Sequence, residues 1–166
     1  NTKDLRELHQ DNHLEKLLQK IKRKQNSLNN IYKTNKPIFF KISPDLNENQ
    51  IEKIAKKINH FEIEGVVISN TTESRQQIID KKKSEIGGLS GKPLKNLSMN
   101  ILKKFKNYLN SSVTIIGSGG ISSAEDAEER LKTGANLVQI YTGIIYSGPK
   151  LIKEIHEKLD GKFNLQ

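Results

Sequence analysis

The sequence predicts an α/β fold built on parallel strands, and three observations carry the prediction. Four short runs rich in Ile, Val or Phe recur along the chain, at 37–42, 65–69, 113–117 and 137–141. They do not alternate apolar with polar residues, which means burial on both faces and hence a parallel sheet. Segments of helical period separate them. Finally, Thr114-Ile115-Ile116-Gly117-Ser118-Gly119-Gly120-Ile121 and Asn136-Leu137-Val138-Gln139-Ile140-Tyr141-Thr142-Gly143 each close a strand on small residues ahead of a helix. Two consecutive turns of this kind hold a phosphate in the last part of a (β/α)₈ barrel. Glycine lets the backbone approach the anion, and exposed N–H groups supply the donors.

Leu14, Leu17, Leu18 and Ile21 predict an opening helix over 11–25, followed by a polar, Asn-rich linker at 26–36. The strand at 37–42 leads into a turn at Ser43-Pro44-Asp45-Leu46. Asn47 and Gln50 then form a capping box for a helix carrying Ile51, Ile54, Ala55 and Ile58. After Gly65-Val66-Val67-Ile68-Ser69 comes a long polar loop through Gly91. Leu97, Ile101, Leu102, Phe105 and Leu109 predict a helix over 97–109. The next helix spans 123–132, with Ser122 and Glu125 as its capping box and Gly134 at its C-terminal end. A last helix starts near Pro149 and turns Leu151, Ile152, Ile155 and Leu159 inward. Four βα units after an opening helix make the C-terminal half of an eightfold barrel; an open doubly wound sheet is the competing arrangement.

The 166 residues suffice for one domain with a sizeable core, yet a complete barrel needs roughly 250. The chain opens on Asn1 rather than Met, and it is read as a piece of a longer protein. Cysteine is absent, which excludes disulfides and thiolate metal sites. No apolar run reaches membrane-spanning length and no signal-peptide pattern opens the chain, so the fragment itself is expected to be soluble. The formal charge is +9, but the lysines are interleaved with Glu and Asp. The dense runs at 20–24 and 81–83 lack aromatic residues for base stacking, so no nucleic-acid partner is expected.

Functional groups of a parallel barrel sit at the C-terminal strand ends. Those ends offer Lys41; Ser69, Asn70 and Thr71; Gly117 to Gly120; and Tyr141 with Thr142. Lys41 either enters a mostly enclosed site, where its ammonium needs an anionic or strongly accepting partner, or reaches solvent. Asn70 and Thr71 supply a carboxamide and a hydroxyl able to read a planar ring with carbonyl and N–H edges; an Asx-type turn is the alternative. Gly87-Gly88-Leu89-Ser90-Gly91 is a weak signal by itself, whereas Gly119-Gly120 is flanked by strand and helix in the right order. His9 and His13 have helical metal-ligand spacing but no acidic partner, and they read as a solvated face; no metal is expected. Without a nucleophile elbow or a carboxylate pair, bond-making falls to a cofactor.

Six blocks together resemble one family. They are Asn1-Thr2-Lys3-Asp4-Leu5-Arg6-Glu7-Leu8, Lys41-Ile42-Ser43-Pro44-Asp45-Leu46 and Ile68-Ser69-Asn70-Thr71-Thr72-Glu73-Ser74-Arg75. Then follow Gly87-Gly88-Leu89-Ser90-Gly91-Lys92-Pro93-Leu94, Ile115-Ile116-Gly117-Ser118-Gly119-Gly120-Ile121 and Val138-Gln139-Ile140-Tyr141-Thr142. In this order the chain resembles the C-terminal half of the class 2, quinone-dependent dihydroorotate dehydrogenases.

The resemblance implies an FMN-containing (β/α)₈ barrel that oxidises (S)-dihydroorotate to orotate in pyrimidine biosynthesis. A base removes the C5 proton, the C6 hydride passes to the flavin, and quinone reoxidises the flavin. By the same resemblance, Lys41 stabilises reduced flavin, and Ser69, Gly91 and Gly120 contact FMN. Tyr141 and Thr142 complete the phosphate cradle, while Asn1, Asn70 and Thr71 bind the substrate. The serine base of class 2 is expected two residues before Asn1, so the catalytic base lies outside this chain. The first four strands and the N-terminal helices that form the quinone tunnel and meet the membrane are also expected outside it. The resemblance therefore implies a membrane-associated parent, at a bacterial cell membrane or the mitochondrial inner membrane, and a fragment that does not turn over alone. A class 1 dihydroorotate or dihydropyrimidine dehydrogenase, with a cysteine base and another acceptor, is the nearest alternative. An inactive fragment or a basic binding module is the more distant one.

Overall fold

The computed structural model describes residues 11–76, 78–79 and 81–160, so Asn1 and His9 lie outside the described residues. Strands β1 (Phe39–Ile42), β2 (Gly65–Ile68), β3 (Thr114–Ser118) and β4 (Leu137–Gln139) form one parallel sheet in that order. The helices are α1 (Asp11–Tyr32), α2 (Glu48–His60), α3 (Lys95–Tyr108), α4 (Ala124–Lys132), α5 (Thr142–Ser147) and α6 (Lys150–Leu159). A doubly wound sheet reverses its strand order at a switch point. Here the order follows the chain without reversal, as in a barrel.

One face of the sheet carries the core. Ile42, Val66, Ile68 and Ile115 pack with Leu14 and Leu18 of α1, Ile51, Ile54 and Ile58 of α2, and Leu102 and Phe105 of α3. Burying each such side chain contributes roughly 1.5–3 kcal/mol. A second cluster joins Ala124 and Ala127 of α4 to Leu151 and Ile155 of α6, with Val138 of β4 against it. The predicted inward position of Ile152 is not met: it is 45% exposed, because the face of α6 that meets α4 carries Leu151 and Ile155 instead.

β2 is buried on both faces as expected, Val67 included, whereas the opposite face of β1 and β4 departs from that expectation. Lys41, Val67, Ile116 and Leu137 stand side by side across the sheet. Phe39 is 37% exposed and Leu137 51% exposed, and neither joins a core cluster. Burial therefore alternates along β1 and β4. Four strands cannot close on themselves, and the side that a closed barrel fills is open.

The opening helix is longer than its sequence suggests. The 26–36 stretch read as a linker is helical to Tyr32, with a local bond at its end and long-range bonds from the preceding turns offsetting the weak helix preference of asparagine. Lys36 N–H donates to Asn29 Oδ1 at 3.2 Å. Glu64, next to β2, accepts from Lys22 Nζ at 2.8 Å, Gln25 Nε2 at 2.9 Å and Ile38 N–H at 3.0 Å. Burial pushes the Glu64 carboxyl up, but these donors hold it below the ordinary glutamate value.

The Asn47–Gln50 capping box opens α2 as predicted. At α4 the box sits one residue later than predicted. Ser123 accepts from Asp126 N–H, and Asp126 accepts from Ser123 N–H. Asp126 also binds Ser122 and Lys95, contacts that Glu125 at its position does not make. The predicted strand at 137–141 stops at Gln139, and the short helix α5 follows it. Gly143 sits so close to the Ile121 carbonyl that a Cβ there would lie 2.3 Å from its oxygen.

Candidate functional site

The C-terminal strand ends enclose a cleft of about 310 Å³. Lys41, Ser69, Asn70, Thr71, Gly91, Gly120, Tyr141 and Thr142 all line it. Lys41 and the paired glycines after β3 thus share one cavity, as convergence on a single ligand requires.

At the β1 side, Lys41 is exposed at the mouth of the cleft and makes no ion pair among the described residues. It borders the cleft and reaches solvent, so the site is more open around it than the sequence suggests. The exit of β2 is stitched to both neighbours. Asn70 N–H donates to Ile42 O at 2.8 Å, and Ser69 N–H to Ser118 O at 2.9 Å. The Ile68–Ser69 peptide is cis. Ser69 Oγ donates to Asn70 O at 2.9 Å, and Asn70 Oδ1 accepts from Thr71 N–H at 2.9 Å. The carboxamide of Asn70 thus makes a local Asx-type contact through its oxygen, and its Nδ2 remains the group to offer a ligand.

Sequence reasoning missed the residues that hold this loop. Thr72 Oγ1 is hydrogen-bonded to Asp45 Oδ1, and Glu73 N–H donates to Asp45 Oδ2 at 3.0 Å. Thr72 and Leu89 exchange backbone bonds at 3.1 and 2.7 Å, and Arg75 donates to Thr72 O and Gly87 O. The long loop is thereby folded back so that Ser90 and Gly91 reach the cleft. Asp45 falls in a predicted turn, which gave no hint of a partner 28 residues away.

At the β3 and β4 side the walls are backbone. Gly91 and Gly120 each have φ +74°, a conformation L side chains rarely adopt. A Cβ on Gly91 would lie 3.2 Å from Thr142 Cγ2, so the two walls touch. Thr142 Oγ1 donates to Ser90 Oγ at 2.9 Å. The N–H groups of Gly120, Tyr141, Thr142 and Gly143 find no acceptor among the described residues. Unmet amides gathered in one cleft are what an anion needs. Tyr141 is 80% exposed.

Beneath the Gly119-Gly120 turn lies Arg130, 1% exposed, which sequence reasoning also missed. Its Nη2 donates to Gly119 O and Ser98 Oγ, each at 2.5 Å, and to Lys95 O at 3.1 Å. Beside it Lys95 Nζ pairs with Asp126 at 2.5 Å. A second cavity of about 850 Å³ shares Gly91, Gly120 and Thr142 with the first and extends toward Arg75 and Tyr146. His13 is exposed, and no group of three or more potential metal ligands occurs among the described residues.

Residues 1–163 match the family model described as dihydroorotate dehydrogenase. A dihydroorotate dehydrogenase (quinone) of Haemophilus influenzae (strain PittEE) is 44% identical over 156 residues, covering 93% of this chain and 46% of that protein. The Shewanella woodyi protein of the same name is 46% identical over 158 residues, covering 95% and 46%. Among solved structures, the dihydroorotate dehydrogenase of Eimeria tenella in complex with ferulenol superposes with a TM-score of 0.88 at 32% identity. That superposition covers 96% of this chain and 46% of that one. The chain spans about half the length of the curated relatives it matches.

Proposed function

The chain belongs to the dihydroorotate dehydrogenase family, and on that premise we propose that it is the C-terminal half of an FMN-dependent barrel that oxidises dihydroorotate to orotate. The observation that carries this reading is the cleft itself. A cationic side chain and a carboxamide stand at its β1 and β2 side, and unsatisfied amides stand at its β3 and β4 side. That donor set fits a phosphorylated ring cofactor: cation and amide for ring and substrate, backbone N–H for phosphate. The open inner face and the unpaired edges of β1 and β4 support a whole protein in which further strands close the barrel.

In this reading Gly91, Gly120, Tyr141 and Thr142 hold the phosphate, with Ser69 and Lys41 toward the ring. When bound, FMN would supply a ring able to accept a hydride and pass electrons on. Lys41 would place a positive charge beside that ring, where it favours developing negative charge. Asn70 and Thr71, with Asn1 outside the described residues, orient the substrate through its carbonyl and N–H edges. A serine two residues before Asn1 is the proposed base. Quinone is the proposed acceptor, since the relatives at 43–46% identity carry that designation. The proposed parent meets a membrane surface, bacterial or mitochondrial, through N-terminal helices outside this chain. No described helix is long and apolar enough to cross a membrane.

The test uses the complete protein that carries this chain. Anaerobic dihydroorotate should bleach its FMN absorbance, and a quinone should restore it. Protein with FMN bound that dihydroorotate leaves unbleached would contradict the reading. Reoxidation by fumarate or NAD but not by quinone would favour the class 1 alternative.

A further inference from the structure

We propose that Arg130 is a positioning residue for the anionic end of the cofactor, acting on it through the Gly119–Gly120 peptide. The inference rests on the FMN reading above and adds a residue behind the cleft wall. Arg130 Nη2 fixes the carbonyl of Gly119 at 2.5 Å. In a trans peptide the carbonyl and the next N–H point in opposite directions. Holding the Gly119 carbonyl against the guanidinium therefore turns the Gly120 N–H away from it, and that N–H finds no acceptor among the described residues. The clamp is rigid on its other side as well, since the same nitrogen reaches Ser98 Oγ and Lys95 O at the start of α3.

The buried charge of Arg130 also matters. A neutral donor would make the same bond to Gly119 without the cost of burying a cation. Arg130 makes no ion pair in the chain among the described residues, and its Nη1 is buried without a hydrogen-bond partner. The two nearby carboxylates of α4, Asp126 and Glu129, both engage Lys95. Burial lowers the guanidinium to about 10, which leaves it protonated at neutral pH. A cation so placed, with its own chain supplying no counter-charge at contact, biases the peptide in front of it toward an anion.

The complete protein, stripped of flavin, tests this by titration with FMN and with riboflavin, which lacks the phosphate. Arg130→Met should weaken FMN at least tenfold while riboflavin affinity changes less than twofold. Arg130→Lys, which keeps the charge, should retain most of the preference for FMN. Should the methionine variant fail to fold, Arg130→Gln takes its place, because its carboxamide can still donate to Gly119 O without charge. If neither neutral variant folds, Arg130→Lys decides, and loss of FMN preference in it would overturn the proposal. An equal loss for both flavins would reduce Arg130 to a structural clamp and overturn the proposal too, as would no loss for either. Wild-type protein that binds neither flavin would instead sink the functional reading.

Discussion

A Cβ placed on Gly120 would lie 2.5 Å from both the backbone nitrogen and the Cα of Lys95. The turn after β3 therefore rests on the first residue of α3, with no room for a side chain between them. Its φ of +74° adds a second barrier, since the left-handed region costs an L residue about 1–2 kcal/mol. This wall of the cleft is thus built by packing two segments against each other.

Gly120→Ala should accordingly destabilise the protein by at least ~2 kcal/mol and displace the turn. Denaturant unfolding measures the first effect and FMN titration the second. Wild-type stability combined with wild-type FMN affinity would show that the turn tolerates a side chain.

Lys41 faces the cleft, whereas Lys132 is 65% exposed on α4 and pairs with Glu128. In the complete protein Lys41→Ala should slow flavin reduction on the order of a hundredfold, the scale of losing one preorganised charge-stabilising group. Lys132→Ala should leave the rate unchanged. Stopped-flow bleaching of FMN by dihydroorotate compares the two, and equal rates would remove Lys41 from the site.

Asn70→Ala should weaken orotate by about tenfold or more, equivalent to about 1.4 kcal/mol, with the flavin spectrum kept. Orotate-induced shifts of the flavin absorbance give the affinity. An unaltered orotate affinity would confine Asn70 to the Asx-type contact with Thr71.

Burial opposes ionisation of Asp126, yet Lys95 and the N–H and hydroxyl of Ser122 hold its carboxyl below the ordinary aspartate value. The folded protein therefore binds this proton less readily than the unfolded chain. Its contribution is complete above the unfolded value of about 3.9 and is lost as pH falls through the lower folded value. Asp126→Asn should cost about 1–3 kcal/mol at pH 7. The gap between variant and wild type should close below about pH 4. Urea unfolding followed from pH 7 to pH 3 checks both statements, and a gap that widens on acidification would reverse the assignment.

Local chemistry was legible wherever residues near in sequence act on each other. The Asn47–Gln50 box, the helical period of Ile51, Ile54 and Ile58, and the cap glycine Gly134 with φ +111° need only their neighbours. The strand-end residues Lys41, Asn70, Gly120 and Thr142 were legible too, because a parallel barrel places chemistry at that end of every strand. Their meeting in one cavity follows from the sheet order. The short α5 was not legible: it is six residues long, has no side-chain cap, and its Gly143 packs closely on Ile121.

By itself, then, the sequence determined four parallel βα units, the residues at their carboxyl ends, and a family likeness that the matched family model bears out. Only the tertiary structure decided that Arg130 lies beneath the glycine turn, that Asp45 reaches across to Thr72 and Glu73, and that Phe39 and Leu137 lie partly exposed on the sheet face away from the helices. The reason is physical. Capping, periodicity and turn conformation are interactions over a few residues, so composition and spacing encode them. A buried cation or an uncovered sheet face is set by which distant segments pack together, and no local pattern records that.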